Sequence, residues 1–254
     1  MTADDVVHAL GIPDVALVRK PVSKEAIGAH LEPDARRALT RQMSSLQWVA
    51  ALKPQTIGIP VYVDEAREYA EVVVLLAVLR VNGSPDRVAS LIHRAVSYPA
   101  VVVLVEPAHA SVPERVAVSF AHARRHERKA DAVVTDGHVR FVPLQEGATD
   151  QEFLSSLNIA RSSAAHLFAL YAGWIERAEA LTMSRVSGTL LPVTGPEATQ
   201  ARRERFQTVQ ALDAEITGIA RRAAKERSLA SRVDTNNLLT KLRERRAALL
   251  EMLT

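Results

Sequence analysis

Eight consecutive apolar residues, Val72 to Leu79, stand between Glu71 and Arg80. A strand with one wet face alternates apolar and polar side chains, so this run predicts a strand covered on both faces. A second run, Ala100 to Val105, follows an amphipathic segment at residues 85–98. The order strand, helix, strand predicts parallel pairing and makes these two strands the centre of an α/β domain. Ser84 as cap, Pro85 in the first turn and Asp86 at the positive helix end mark where that helix starts. Val88, Leu91, Ile92, Ala95 and Val96 form its packed face, with His93 and Arg94 beside it.

Upstream, residues 4–10 predict a short helix ending near Gly11, and residues 14–19 a first strand. Ser23 caps a short turn. Residues 33–52 then read as one helix, because Leu39, Met43, Leu46, Val49 and Ala50 recur at three- and four-residue spacing, with Trp48 packing near its end. Residues 56–63 predict an extended segment pairing antiparallel with the central strand, Pro60 keeping it out of a fully bonded position. Residues 115–122 predict a strand. Extended segments flanking Asp136-Gly137 predict a hairpin whose turn is that dipeptide.

The character changes after a polar linker at residues 145–150, which sets a division into a mixed α/β domain (1–148) and a helical region (149–254). Residues 151–183 predict one helix, and residues 188–196, with two glycines and two prolines, a connection. In the last stretch Phe206, Val209, Leu212, Ile216, Ile219 and Ala223, then Ala230 and Val233, step by three or four. Leu239, Leu242, Leu249 and Leu253 continue the stripe after a slip in phase. The pattern is coiled-coil-like, interrupted by Gly218 and the polar run Asp234-Thr-Asn-Asn237. An unbroken helix there would span on the order of 85 Å at 1.5 Å per residue. Its apolar side needs cover from an intrachain hairpin, a second copy or another subunit.

Composition narrows the chemistry. The 254 residues are 48% hydrophobic and 24% charged, which fits a folded chain with a core. With no cysteine there is no disulfide, thiol nucleophile or thiolate ligand. No apolar segment is long enough for a bilayer, and the start lacks the features of a secretion signal, so a soluble cytoplasmic protein without membrane contact is expected. Formal charge is +3, which permits an acidic partner.

The densest cationic cluster is His122-Ala-Arg-Arg-His-Glu-Arg-Lys129. Arg124 and Arg125, with His122, Arg128 and Lys129, are the candidate contacts to a phosphate backbone or an acidic protein. His122 and His126 lack the glutamate pattern of a zinc protease, so no metal is expected there. Asp64, Glu65, Glu68 and Glu71 precede the central strand, but that strand holds no acid and nearby lysine of the compact nuclease kind. Phosphate-binding glycine loops and the serine-hydrolase elbow are absent, and no cofactor is expected. Residues 201–246 carry 12 Lys or Arg against 6 Asp or Glu, a further basic surface for nucleic acid or a subunit.

The segments Leu52-Lys-Pro-Gln-Thr-Ile57, Glu71-Val-Val-Val-Leu75, Leu91-Ile-His-Arg-Ala-Val-Ser-Tyr-Pro99 and Ser231-Arg-Val-Asp-Thr-Asn236 resemble the bacterial domain-of-unknown-function family 4391. That resemblance covers nearly the whole chain. It implies an association with helicase and DNA-methyltransferase genes in restriction or phage-defence clusters, and it carries no catalytic set. Lysines of the family's basic loop stand here largely as Arg124, Arg125 and Arg128, with Lys129 nearby.

Together these readings predict a non-catalytic accessory or scaffold subunit of a DNA-processing complex. Leu212, Ile216, Ile219, Val233, Leu239, Leu242 and Leu249 would serve assembly, with a helicase or methyltransferase as partner, or a second copy, and DNA as a further contact. The rivals are a divergent metal-dependent nuclease using Glu68 and Glu71, and a nucleic-acid-binding protein without catalysis.

Overall fold

In the computed structural model, residues 1–126, 129–162, 164–188, 196–223 and 229–252 are described. They form two compact units, Met1–Glu179 and Ala180–Thr254. The first is the expected mixed α/β assembly and the second is helical.

The first unit opens with α1 (Ala3–Ala9), fixed by a reciprocal capping box between Thr2 and Asp5. Strand β1 (Leu17–Pro21) follows, then α2 (Lys24–Gly28) and α3 (Pro33–Gln42). Next come β2 (Met43–Leu52), the single turn α4 (Pro54–Ile57), the short strands β3 (Tyr62–Val63) and β4 (Glu68–Tyr69), and β5 (Val72–Leu79). After α5 (Pro85–Ala95) the chain forms β6 (Ala100–Glu106), β7 (Arg115–His126) and β8 (Lys129–Pro143). The main sheet has the order β1-β2-β5-β6-β7-β8, and β3 pairs with β4 in a separate ribbon.

The two apolar runs are β5 and β6, and they pair in parallel from Val73 opposite Ala100 to Val78 opposite Val105. Their alternate side chains go to different layers. Val73, Leu75, Ala77, Ala100, Val102 and Leu104 pack with α2, α3 and α5. The intervening Val72, Val74, Val101 and Val103 are fully buried on the opposite face. Each such Val or Leu contributes about 2 kcal/mol by leaving water. On that second face the Phe120 ring meets Tyr171 at 6.2 Å, from helix α7 (Leu167–Ser187). The Tyr171 hydroxyl donates toward the carbonyls of Ala100 (2.6 Å) and Ala121 (3.1 Å) and accepts from Ala121 N–H at 2.9 Å. It therefore sits at the rung where β6 and β7 begin to pair.

Several local readings are corrected. The helix expected over residues 33–52 stops at Gln42, and its second half is β2, antiparallel to β5. Register shifts between Met43 and Ser45 and between Trp48 and Ala50 put extra residues into β2, so its buried positions Met43, Leu46 and Val49 recur every three residues. A bulged strand thus imitates a helical period. Trp48 packs as expected, with its ring N–H donating to Ala50 O at 2.9 Å and its ring edge-on to Tyr98. Residues 56–63 do not pair with the central strand. They hold the end of α4 and then β3, whose partner is β4.

The expected turn at Asp136-Gly137 does not form. Both residues lie inside β8, whose register against β7 runs to Lys129 opposite His126. Between Phe120 and His122 the β8 partners jump from Arg140 to Asp136, and Gly137 takes φ +76° in that bulge. Finally, residues 151–183 are broken into α6 (Ala148–Ser156), a 3-10 turn and α7. Asn158 supplies the break: its side chain accepts from Ala160 N–H, while Trp174 donates to Leu157 O at 2.9 Å.

In the second unit the tail is two helices, α8 (Pro196–Ala223) and α9 (Leu229–Glu251), where a single long one was an open expectation. They are antiparallel, since Arg246 bonds Asp213 and Arg205 bonds the carbonyl of Met252. Asp234-Thr-Asn-Asn237 lies within α9, where Thr235 bonds back to Ser231 O. Phe206 and Val209 of α8 pack with Met183 and Val186 of α7 and Leu249 and Leu250 of α9.

Tyr171→Phe leaves a buried Ala121 N–H without its acceptor and is expected to cost about 1–3 kcal/mol. Urea unfolding read by tryptophan fluorescence measures this in the first unit alone, because Trp48 and Trp174 both lie there. Unchanged stability in that variant would show the bridge to be idle.

Candidate functional site

Past Ala121, β7 has no β6 neighbour, because β6 starts at Ala100 opposite it. That freed edge is taken by the β3–β4 ribbon: Arg125 N–H donates to Ala66 O at 2.7 Å and Ala123 N–H to the Tyr69 hydroxyl at 3.3 Å. Asp64 builds the turn of the ribbon. Its side chain accepts from the backbone N–H of Ala66 and Arg67 and from the Tyr62 hydroxyl at 2.8 Å. The Tyr62 hydroxyl, then those backbone donors, hold the Asp64 carboxyl below its ordinary range against the opposing effect of burial.

Tyr69 is fully buried and its hydroxyl lies 2.8 Å from His122 Nδ1. Burial pushes the Tyr69 phenol far up, so it stays protonated. Burial, reinforced by the charges of Arg67 and Arg140, pushes His122 down to about 4. The neutral tyrosine and the neutral imidazole share one hydrogen between the hydroxyl and Nδ1, while the hydroxyl also accepts from Ala123 N–H. Phe168 closes the pocket at 5.3 Å from the His122 ring and 5.1 Å from Tyr69, and Tyr62 stacks on Phe168 at 4.9 Å.

Around this aromatic centre cations and carboxylates are matched. Arg67 bonds Asp136 at 2.7 Å, lies 3.9 Å from Asp64 and sits over the Phe168 ring at 5.5 Å. Arg124 shares Asp136 at 3.8 Å, and Arg125 bonds Glu68 at 2.8 Å. Arg140 bonds Glu179 at 2.6 Å. The cluster is electrostatically closed: its histidine is neutral, its tyrosine stays protonated, and these arginines are engaged by the protein's own acids.

Residues 10–245 match the model of a family described as domain of unknown function, DUF4391. The chain belongs to the DUF4391 family. No curated protein and no solved structure matches it.

In this DUF4391 protein the expected phosphate contacts His122, Arg124 and Arg125 do come together, at the end of β7, but as members of that closed network. Arg128 and the side chain of Lys129 lie outside the described residues. Glu68 and Glu71 do not converge: Glu68 faces Arg125, whereas Glu71 lies 3.2 Å from Lys53. Among the described residues no three His, Cys, Asp or Glu are grouped to hold a metal ion, and no helix is long and apolar enough to cross a membrane. The residues missed by sequence reasoning are Arg67, Tyr69, Asp136 and Phe168. They come from three separate parts of the fold, the β3–β4 ribbon, β8 and α7, and share no local motif.

On the helical unit Leu212, Ile219 and Leu239 are buried, and Ile216, Leu242 and Leu249 half-buried. The side chain of Val233 is outside the described set. The unit carries 13 Lys or Arg against 8 Asp or Glu, a surplus of five, while the first unit carries 19 against 21. Arg221, Arg222, Lys241, Arg243 and Arg245 are exposed and have no carboxylate partner among the described residues.

Buried His93 and half-buried His122 set the pH response of the first unit between pH 7 and 5. His93, bonded to buried Ser119 at 3.1 Å, is pushed by burial to about 4, as is His122. The unfolded chain takes up these protons near pH 6.5, so the stability each histidine adds is complete above about 6.5 and is lost as pH falls toward 4. For His93 this amounts to on the order of 3 kcal/mol. Urea unfolding between pH 7 and 5 should show falling stability, and His93→Gln should flatten the profile while lowering stability at pH 7.

Proposed function

We propose that this DUF4391 protein is a non-catalytic accessory or scaffold subunit of a bacterial DNA-processing assembly of the restriction or phage-defence kind, working in the cytoplasm. The observation that carries this reading is the division of charge. The α/β unit matches the cations of its most polar cluster internally, whereas the helical unit holds the whole basic surplus and turns exposed cations outward. Salt-bridged arginines must give up a partner before meeting a phosphate, while solvated ones exchange only counterions.

The helical unit covers much of its own apolar stripe. Leu212, Ile219 and Leu239 therefore stabilise the hairpin, and a helicase, a DNA methyltransferase or a second copy would meet its outer surface or the half-buried Ile216, Leu242 and Leu249. Arg124 and Arg125 act as orienting residues in the first unit, available to an acidic partner able to displace Glu68 and Asp136. Glu68 and Glu71, each held by a different cation, support the nuclease reading less than the accessory one.

Anisotropy with labelled duplex DNA across a salt series tests the DNA contact, and co-expression with the neighbouring helicase or methyltransferase tests assembly. Replacing Arg221, Arg222, Lys241 and Arg245 by Gln should make the slope of log K against log salt shallower by roughly one for each phosphate that is no longer neutralised. Arg124→Gln with Arg125→Gln should change it less. A chain that neither binds DNA nor co-purifies with either neighbour does not have this function.

A further inference from the structure

The second face of the main sheet is closed over β6 and β7 by α1 and α7, but toward β1 a groove of about 770 Å³ remains between α1 and strands β1, β2 and β5. Its floor is apolar, made by Leu17, Val49 and Leu76, and Val7 and Ile12 add to its walls. A concavity of this size falls within the ordinary range for small-molecule sites, which combine apolar lining with a few placed polar groups. Here the polar groups are Asp4, Asp14, Arg19 and Gln47, with His8 beside them. Among the described residues none of these five side chains has a hydrogen-bond or ion-pair partner. That sets the groove apart from the Tyr69–His122 cluster, where the charged groups are engaged.

Two features fix its walls. Gly11, at φ +63°, ends α1 against Asn158, whose side chain is 2.7 Å from where a Cβ would stand, and Ile159 N–H bonds Leu10 O at 2.9 Å. On the other wall Arg19 adopts φ +49° in the bulge between Leu17 and Lys20. A non-glycine residue in that region is uncommon, and bulges redirect side chains. The result is a guanidinium and two carboxylates sharing one apolar concavity.

We infer that this groove is a binding site for a small zwitterion with an apolar body, of amino-acid to dipeptide size, its carboxylate meeting Arg19 and its ammonium group meeting Asp14 or Asp4. A purely anionic ligand would face the two acids, and a purely cationic one would face Arg19. A zwitterion satisfies both signs while its side chain covers Leu17, Val49 and Leu76. The inference is independent of the accessory role, since none of these residues belongs to the helical unit.

Calorimetric titration of the full chain with leucyl-phenylalanine, its N-acetyl form and its C-terminal amide provides the test. The free dipeptide should saturate, and each blocked form should bind about tenfold more weakly. In Arg19→Gln the penalty for amidation should vanish, and in Asp14→Asn with Asp4→Asn the penalty for acetylation. These positions are exposed, and an unchanged tryptophan-monitored melting curve confirms the fold. No saturation by about 10 mM, or equal binding of free and blocked forms, overturns the inference.

Discussion

Two adjacent parallel strands with no polar side chain along their paired length impose the layering of the first unit. β5 and β6 alternate their Val and Leu side chains into two separate layers, so a single covering layer would leave half of them in water. The chain meets this by placing α2, α3 and α5 on one side and closing the other with helices from distant parts of the sequence. Tyr171 shows how tight that second closure is. Its hydroxyl reaches through the layer to the backbone of β6 and β7, where an unbonded polar group would be costly.

The same layering explains which parts of the architecture were legible in the sequence. β5, α5 and β6 were readable because their periods are regular and their ends are marked by Ser84, Pro85 and Asp86. β2 was not, and β8 only in part, since its two extended halves were read but a turn was placed between them; both misreadings have a shared reason. In β2 two bulges convert an alternating strand into a three-residue period, which imitates a helix. In β8 a bulge uses Asp136-Gly137, the residue pair that elsewhere turns a hairpin. Inserted residues change the meaning of a local pattern without changing its composition, and only the partner strand reveals them.

The polar cluster was partly legible. His122, Arg124 and Arg125 stood out as a basic run, but charge in a sequence has no neighbours. The acids that engage the two arginines lie outside that run, Asp136 in the neighbouring strand and Glu68 at a separation of 57 residues from Arg125, and the aromatic seat of His122 is assembled from Tyr69 and Phe168. The C-terminal stripe was readable as apolar and in need of cover. The antiparallel return of α9 along α8 supplies much of that cover within the chain, and it leaves the cations of the second unit as its outward chemistry.

The seam between Leu10 and Ile159 has a consequence for biosynthesis. The first helix of the chain is locked by contacts to residues 158 and 159, and the rung joining β6 to β7 is completed only by Tyr171. At a ribosomal speed of roughly 5–20 residues per second, the opening segment therefore waits many seconds for its seat to emerge. The side of β6 and β7 that Tyr171 seals is thus completed late in synthesis, after every strand of the sheet has been made.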